Sequence, residues 1–143
     1  MNRILSKSDI RVLISREIAT ESIKNLARDF KKYKLSGEHF SMFGRDVPFT
    51  DEASLHQSGV RKVHVLEIEE FNEIKSQYDN TTDKFHLIYC RHPDHSNFYC
   101  IIHVLSPDAH KQARRREFVA VAERRAEEFI TAINQRMRKW KSA

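Results

Sequence analysis

The sequence predicts an α+β fold, an antiparallel sheet with helices packed on one face. Two apolar runs, Phe85–Arg91 and Phe98–Leu105, flank the polar segment His92-Pro93-Asp94-His95-Ser96-Asn97, the pattern of two strands joined by a six-residue loop. A third β-type run, Val60–Leu66, precedes them. On either side lie stretches with apolar residues at spacings of three and four, the mark of helices that bury one stripe.

Taken in order, residues 1–9 form an N-terminal extension, and Ile10–Ser15 (IRVLIS) is the first strand. Thr20 offers a hydroxyl cap to a helix over about 20–36, whose stripe is Ile23, Leu26, Ala27, Phe30 and Tyr33. Gly37 supplies its left-handed stop. His39–Glu52 reads as a long loop, with Gly44 and Pro48 as breakers. Val60–Leu66 is the next strand, with Val63 and Val65 on one face and Lys62, His64 and Leu66 on the other. Ile68, Phe71, Ile74 and Tyr78 fit a short helix, and the 79–83 run of Asp, Asn and Thr turns the chain into the hairpin. Ser106-Pro107 ends the hairpin. A basic helix over about 108–140 follows, with Phe118, Ala122, Ala126, Phe129, Ile133 and Met137 on its buried stripe.

At 143 residues the chain is one domain, 1–143, with 40% hydrophobic and 31% charged residues. It has no apolar run of about 18 residues, hence no membrane span. Its start lacks a signal-peptide core, so the expected compartment is the cytoplasm. Cys90 and Cys100 have opposite parity about the loop if Arg91 pairs with Phe98, which predicts free thiols on opposite faces. The net charge of +5 is concentrated from Lys111 onward, where 10 Lys/Arg stand against 4 Asp/Glu. Such a segment is either a nucleic-acid stripe or a solvated helix face.

With Arg91 paired to Phe98, His86 lies opposite His103, and Lys62, His64, His86, Tyr99 and His103 fall on one open sheet face. Histidines grouped with cations suit RNA cleavage by internal transfer. The 2′-hydroxyl loses a proton, the 5′-oxygen gains one, and fixed cations hold the phosphorane charge. Imidazole titrates near neutral pH, so that chemistry needs no metal. Zinc-type Cys/His spacing, a Gly-rich phosphate loop and G-x-S-x-G are all absent, and no cofactor is expected.

The motifs Phe43-Gly44-Arg45-Asp46, His64-Val65-Leu66, Asp83 followed by His86-Leu87-Ile88-Tyr89-Cys90, and Leu105-x-Pro107-x-x-His110-Lys111-x-Ala113-Arg114 resemble the YafO toxins of bacterial type II toxin–antitoxin pairs, over roughly residues 10–135. The resemblance implies a ribosome-dependent mRNA endonuclease held inactive by a cognate antitoxin, and kinship with the compact RelE-like ribonuclease fold. The family pattern departs at His103, which removes that residue as a family catalyst. The resulting expectation places catalysis on Arg45, Asp46, His64, His86 and His110. His64 or His86 is the base and His110 the acid, at the start of the last helix. Arg45 and Arg114 stabilise the phosphorane, and Asp46 orients Arg45 or a histidine. Lys62, Lys111, Arg114 and Arg115 are the expected RNA contacts, which makes activity salt-sensitive. Partners are the antitoxin and the ribosome with its mRNA and rRNA, and no membrane. The alternatives are a toxin of similar fold acting on another target, or a non-enzymatic RNA- or partner-binding protein.

Overall fold

The computed structural model describes residues 10–36, 43–49, 52–65, 86–105 and 115–142. They form β1 (Arg11–Ile14), a 3-10 turn (Arg16–Ile18), α1 (Glu21–Ser36), β2 (Phe43–Pro48), α2 (Ala53–Gln57), β3 (Val60–Val65), β4 (His86–Arg91), β5 (Phe98–Leu105) and α3 (Arg116–Ser142). The strands build one sheet in the order β1-β5-β4-β3-β2. The α+β class holds, but the sheet is mixed: β1 runs parallel to β5 and the other pairs are antiparallel. The short helix expected near Ile68–Tyr78, the Gly37 stop, the N-terminal extension and the 106–114 segment lie outside the described residues.

Helix α1 starts where its cap predicts, the Ile23 amide donating to the Thr20 hydroxyl at 3.3 Å. Its stripe (Leu26, Ala27, Phe30) packs on Val63, Val65, Leu87, Tyr89, Tyr99 and Ile101. Helix α3 buries Phe118, Ala122, Ala126, Phe129 and Ile133 against Val60, Ile88, Cys90, Cys100 and Ile102. These two sets alternate along β3, β4 and β5, so α1 and α3 cover opposite faces, which corrects the expectation of helices on one face. The reason is visible in β4 and β5, whose runs are apolar on both parities. Strands of that kind are buried on both sides.

The stretch expected to be a loop, His39–Glu52, holds β2, and α2 follows directly after it. Gly, Asp and Pro are poor strand formers, yet the backbone of Phe43–Pro48 finds partners along β3. Gly59, at φ +71°, makes the left-handed turn between α2 and β3. The last helix begins at Arg116, later than the expected start near residue 108.

The β4–β5 hairpin forms with a register one residue away from the expected one, Arg91 opposing Tyr99 and Cys90 opposing Cys100. The slip originates in the loop. The His92 ring accepts the amides of Asp94 (3.0 Å) and His95 (3.1 Å) at Nδ1, while the His92 amide donates to the Phe98 carbonyl at 3.0 Å. With Nδ1 occupied as an acceptor, Nε2 carries the proton and donates to Asn134 Oδ1 at 2.7 Å, tying the loop to α3. A bulge at Ile102 shifts the ladder again, so that His103 opposes Ile88 and His86 opposes Leu105. The direct His86–His103 pairing is therefore corrected. Tyr99 moves to the α1 face, and Lys62, His64, His86 and His103 share the face covered by α3 rather than an open one.

Cys90 and Cys100 are free and buried on one face, directly opposite each other, which corrects their assignment to opposite faces. The His92–Phe98 bond makes that pair a hydrogen-bonded one. By alternation so is Cys90–Cys100, whose side chains stand wider apart than a disulfide wants. Burial pushes the Cys100 thiol up to about 11, and burial together with Cys100 raises Cys90 as well. Thiol titration of the denatured, unreduced protein should count two groups, with both slow to alkylate in the native state at neutral pH. A count of zero would reveal the disulfide that this register opposes.

Candidate functional site

One end of the sheet brings two of the predicted histidines, His64 and His86, together. His64 on β3 pairs directly with His86 on β4, which pairs with Leu105 on β5. The two imidazole centroids are 4.2 Å apart and tilted by 50°. His86 is fully buried and His64 nearly so. On the outer side of β3, Phe43 pairs with Val65 and Asp46 with Val63, so Gly44 and Arg45 together stand against the single residue His64. That is a bulge, a device that re-aims a strand and recurs beside active sites. The row Gly44-Arg45, His64, His86, Leu105 thus crosses four strands, and in sequence His110, Lys111 and Arg114 follow Leu105. These last three lie outside the described residues, as does the side chain of Arg45.

Asp46 is not brought to the histidines. It follows the parity of Val63 onto the α1 face, where its carboxylate is fully engaged. Oδ2 accepts from the Tyr33 hydroxyl (2.9 Å) and Lys34 Nζ (2.7 Å), and Oδ1 from the Tyr89 hydroxyl (2.6 Å) and Arg61 Nε (3.3 Å). Lys34 and Arg61 also donate to the Tyr89 hydroxyl at 3.0 and 3.1 Å. Burial alone would raise the Asp46 carboxyl, but the Lys34 ammonium and the hydrogen bonds of Lys34, Tyr89 and Tyr33 outweigh it and hold the group below its ordinary range. Burial, followed by the Asp46 charge, pushes both phenols up, so they remain donors. The expected role of Asp46, orienting Arg45 or a histidine, finds no support in these contacts: it ties α1 and β2 to the sheet.

His103 also has a structural occupation. Its Nδ1 accepts from Arg125 Nη1 at 2.8 Å, and burial, followed by the Arg125 charge, holds the ring below its ordinary value and therefore neutral. Arg125, itself buried, donates to the Ile102 carbonyl at 2.8 Å and to Glu17 through Nε at 3.0 Å. Glu17 binds Arg124 as well, at 3.2 Å, so the 3-10 turn is clamped to α3. Of the expected RNA contacts, Lys62 lies over the Phe49 ring at 5.1 Å and Arg115 is exposed just before α3. Among the described residues, no group of three or more His, Cys, Asp or Glu is placed to hold a metal ion. The Asp46 cluster escaped sequence reading because Tyr33 and Lys34 come from a helix and Tyr89 and Arg61 from paired strands. Only the β3–β4 register, which sets Arg61 opposite Tyr89, could have hinted at it.

The family model for Toxin YafO, type II toxin-antitoxin system, matches residues 31–131, from the end of α1 to the middle of α3. The chain belongs to the YafO toxin family. It is 30% identical over 106 residues to the mRNA interferase toxin YafO of Escherichia coli (strain K12), covering 71% of this chain and 80% of that relative. No solved structure matches. The YafO match contains the bulge, the His64–His86 pair, the Asp46 cluster and His110. It leaves out β1 and the last turns of α3.

Proposed function

We propose that this protein is a cytoplasmic, ribosome-dependent endoribonuclease that cleaves mRNA and inhibits translation, and that a cognate antitoxin restrains it. The observation that carries the proposal is the four-strand row with His64 facing His86 beside the Arg45 bulge, within a chain of the YafO family whose relative is named an mRNA interferase. In this reading the fold is a RelE-like ribonuclease fold. His64 or His86 takes the 2′-hydroxyl proton, and His110, reached from Leu105, protonates the leaving 5′-oxygen. Arg45 and Arg114 hold the phosphorane charge, with Lys62, Lys111 and Arg115 on neighbouring phosphates. Transfer ends in a 2′,3′-cyclic phosphate and requires no metal. Because His86 is buried, this end of the sheet opens when the ribosome is engaged, which fits an enzyme that acts only there. Asp46 anchors β2 and stays clear of the RNA.

Inducible expression followed by mapping of mRNA 5′ ends, repeated with purified components with and without ribosomes, tests the proposal. New ends should appear only with ribosomes, and co-expression of the cognate antitoxin should relieve growth arrest. Growth arrest without new ends would overturn it. The burial of His86 favours a second reading, arrest by binding alone. That reading predicts full arrest by a triple variant lacking His64, His86 and His110.

A further inference from the structure

We propose that the last turns of α3 form an RNA-docking tip, with Trp140 stacking on an unpaired base and the surrounding cations on phosphates. The choice of partner rests on the ribonuclease reading above; the test does not depend on cleavage. The packed stripe of α3 runs to Ile133, with Met137 against its end. Beyond it Arg136, Arg138, Lys139 and Trp140 are exposed, Trp140 at 54%. Leaving an indole in water forgoes a large burial gain, which invites a partner.

The charge pattern changes at the same place. Earlier in α3 the cations alternate with Glu117, Glu123, Glu127 and Glu128, and Arg124 and Arg125 are engaged by Glu17. Residues 129–143 contain no acid, while Arg136, Arg138, Lys139 and Lys141 fall within six positions. At about 100° per residue these cations are distributed around the helix. A helix lying on a membrane needs one broad apolar face, and here a single exposed indole stands among Arg136, Arg138 and Lys139. An acidic peptide would answer the cations and leave the indole face unused. Single-stranded RNA answers both, with phosphates for the cations and an exposed base for the ring.

Trp140 is the single tryptophan of the chain, so its emission reports on this tip alone. Full-length protein titrated with a short oligouridylate should show saturable quenching. Trp140→Ala should weaken binding, read by anisotropy of labelled RNA, by about tenfold, and Trp140→Phe should restore most of it. Arg136→Gln with Arg138→Gln should reduce the log–log salt slope by about 1.4. These positions are exposed, so thermal unfolding should not change. RNA binding with unaltered emission and wild-type affinity in Trp140→Ala would overturn the proposal. So would an emission change on polyglutamate or on phosphatidylserine vesicles without one on RNA, which would assign the tip to an acidic protein or a membrane. Quenching by RNA in a protein that fails to cleave mRNA would retire the enzymatic reading and leave the docking tip standing.

Discussion

His86→Ala and His110→Ala should each fold, co-sediment with ribosomes and lose mRNA cleavage by about 10²–10⁴-fold, the usual cost of removing one general acid or base. The reaction needs a proton acceptor at the 2′-oxygen and a donor at the 5′-oxygen. In the proposed roles His110 is the acid and one of the paired rings His64 and His86 is the base, so losing His86 removes either the base or the ring packed 4.2 Å from it. His86 is fully buried, and truncation there also opens a cavity. His86→Gln is the control: it fills much of the space yet cannot exchange a proton near neutral pH, and should be as inactive as the alanine variant. Chelators selective for zinc and manganese, at magnesium levels that preserve ribosomes, should leave wild-type cleavage unchanged. If both alanine variants cleave normally, the chemistry belongs instead to Arg45, Lys111 and Arg114.

Asp46→Ala should cost about 3 kcal/mol of stability, the low end of what breaking a buried ion pair costs. It leaves Lys34 and Arg61, with side chains only 18% and 38% exposed, facing each other without the carboxylate between them. Two phenol donors lose their acceptor as well. Denaturant unfolding measures the loss. Its pH dependence follows from the depressed carboxyl: the stabilisation is complete above the ordinary value of 3.8 and disappears as pH falls through the lower folded value. The variant should therefore have a shallower acid limb than wild type. Cleavage per folded molecule should change little, because the carboxylate sits on the face away from His64. A catalytic collapse at wild-type stability would return Asp46 to the chemistry.

The parts of this fold legible in the sequence are those governed by local pattern. Thr20 caps α1 where its hydroxyl falls, the stripe from Phe118 to Ile133 faces the sheet, and the parity of Val63 against His64 is kept. Two things were not legible, for different reasons. The hairpin register depends on a histidine ring that accepts loop amides, a side-chain act that no turn rule encodes. That one-residue slip carries Tyr99 and Cys100 to the opposite faces and sets Cys100 beside Cys90. The placement of β1 beside β5 depends on contacts far apart in sequence, for which a four-residue run offers no signal. Within the candidate site, the like parity of His64 and His86 is legible from strand alternation, whereas the Asp46 cluster is not, because its partners converge from three elements.

The bulge at Gly44-Arg45 bears on solubility as well as on chemistry. Among the described residues β2 is an outer strand of the sheet, and outer strands are templates for runaway association between copies. Here that outer strand is broken twice, by the bulge near one end and by Pro48, which has no amide hydrogen to offer, at the other. The opposite rim, β1, spans only four residues. These two breaks and the short opposite rim leave little regular ladder on which the strand of another copy could pair.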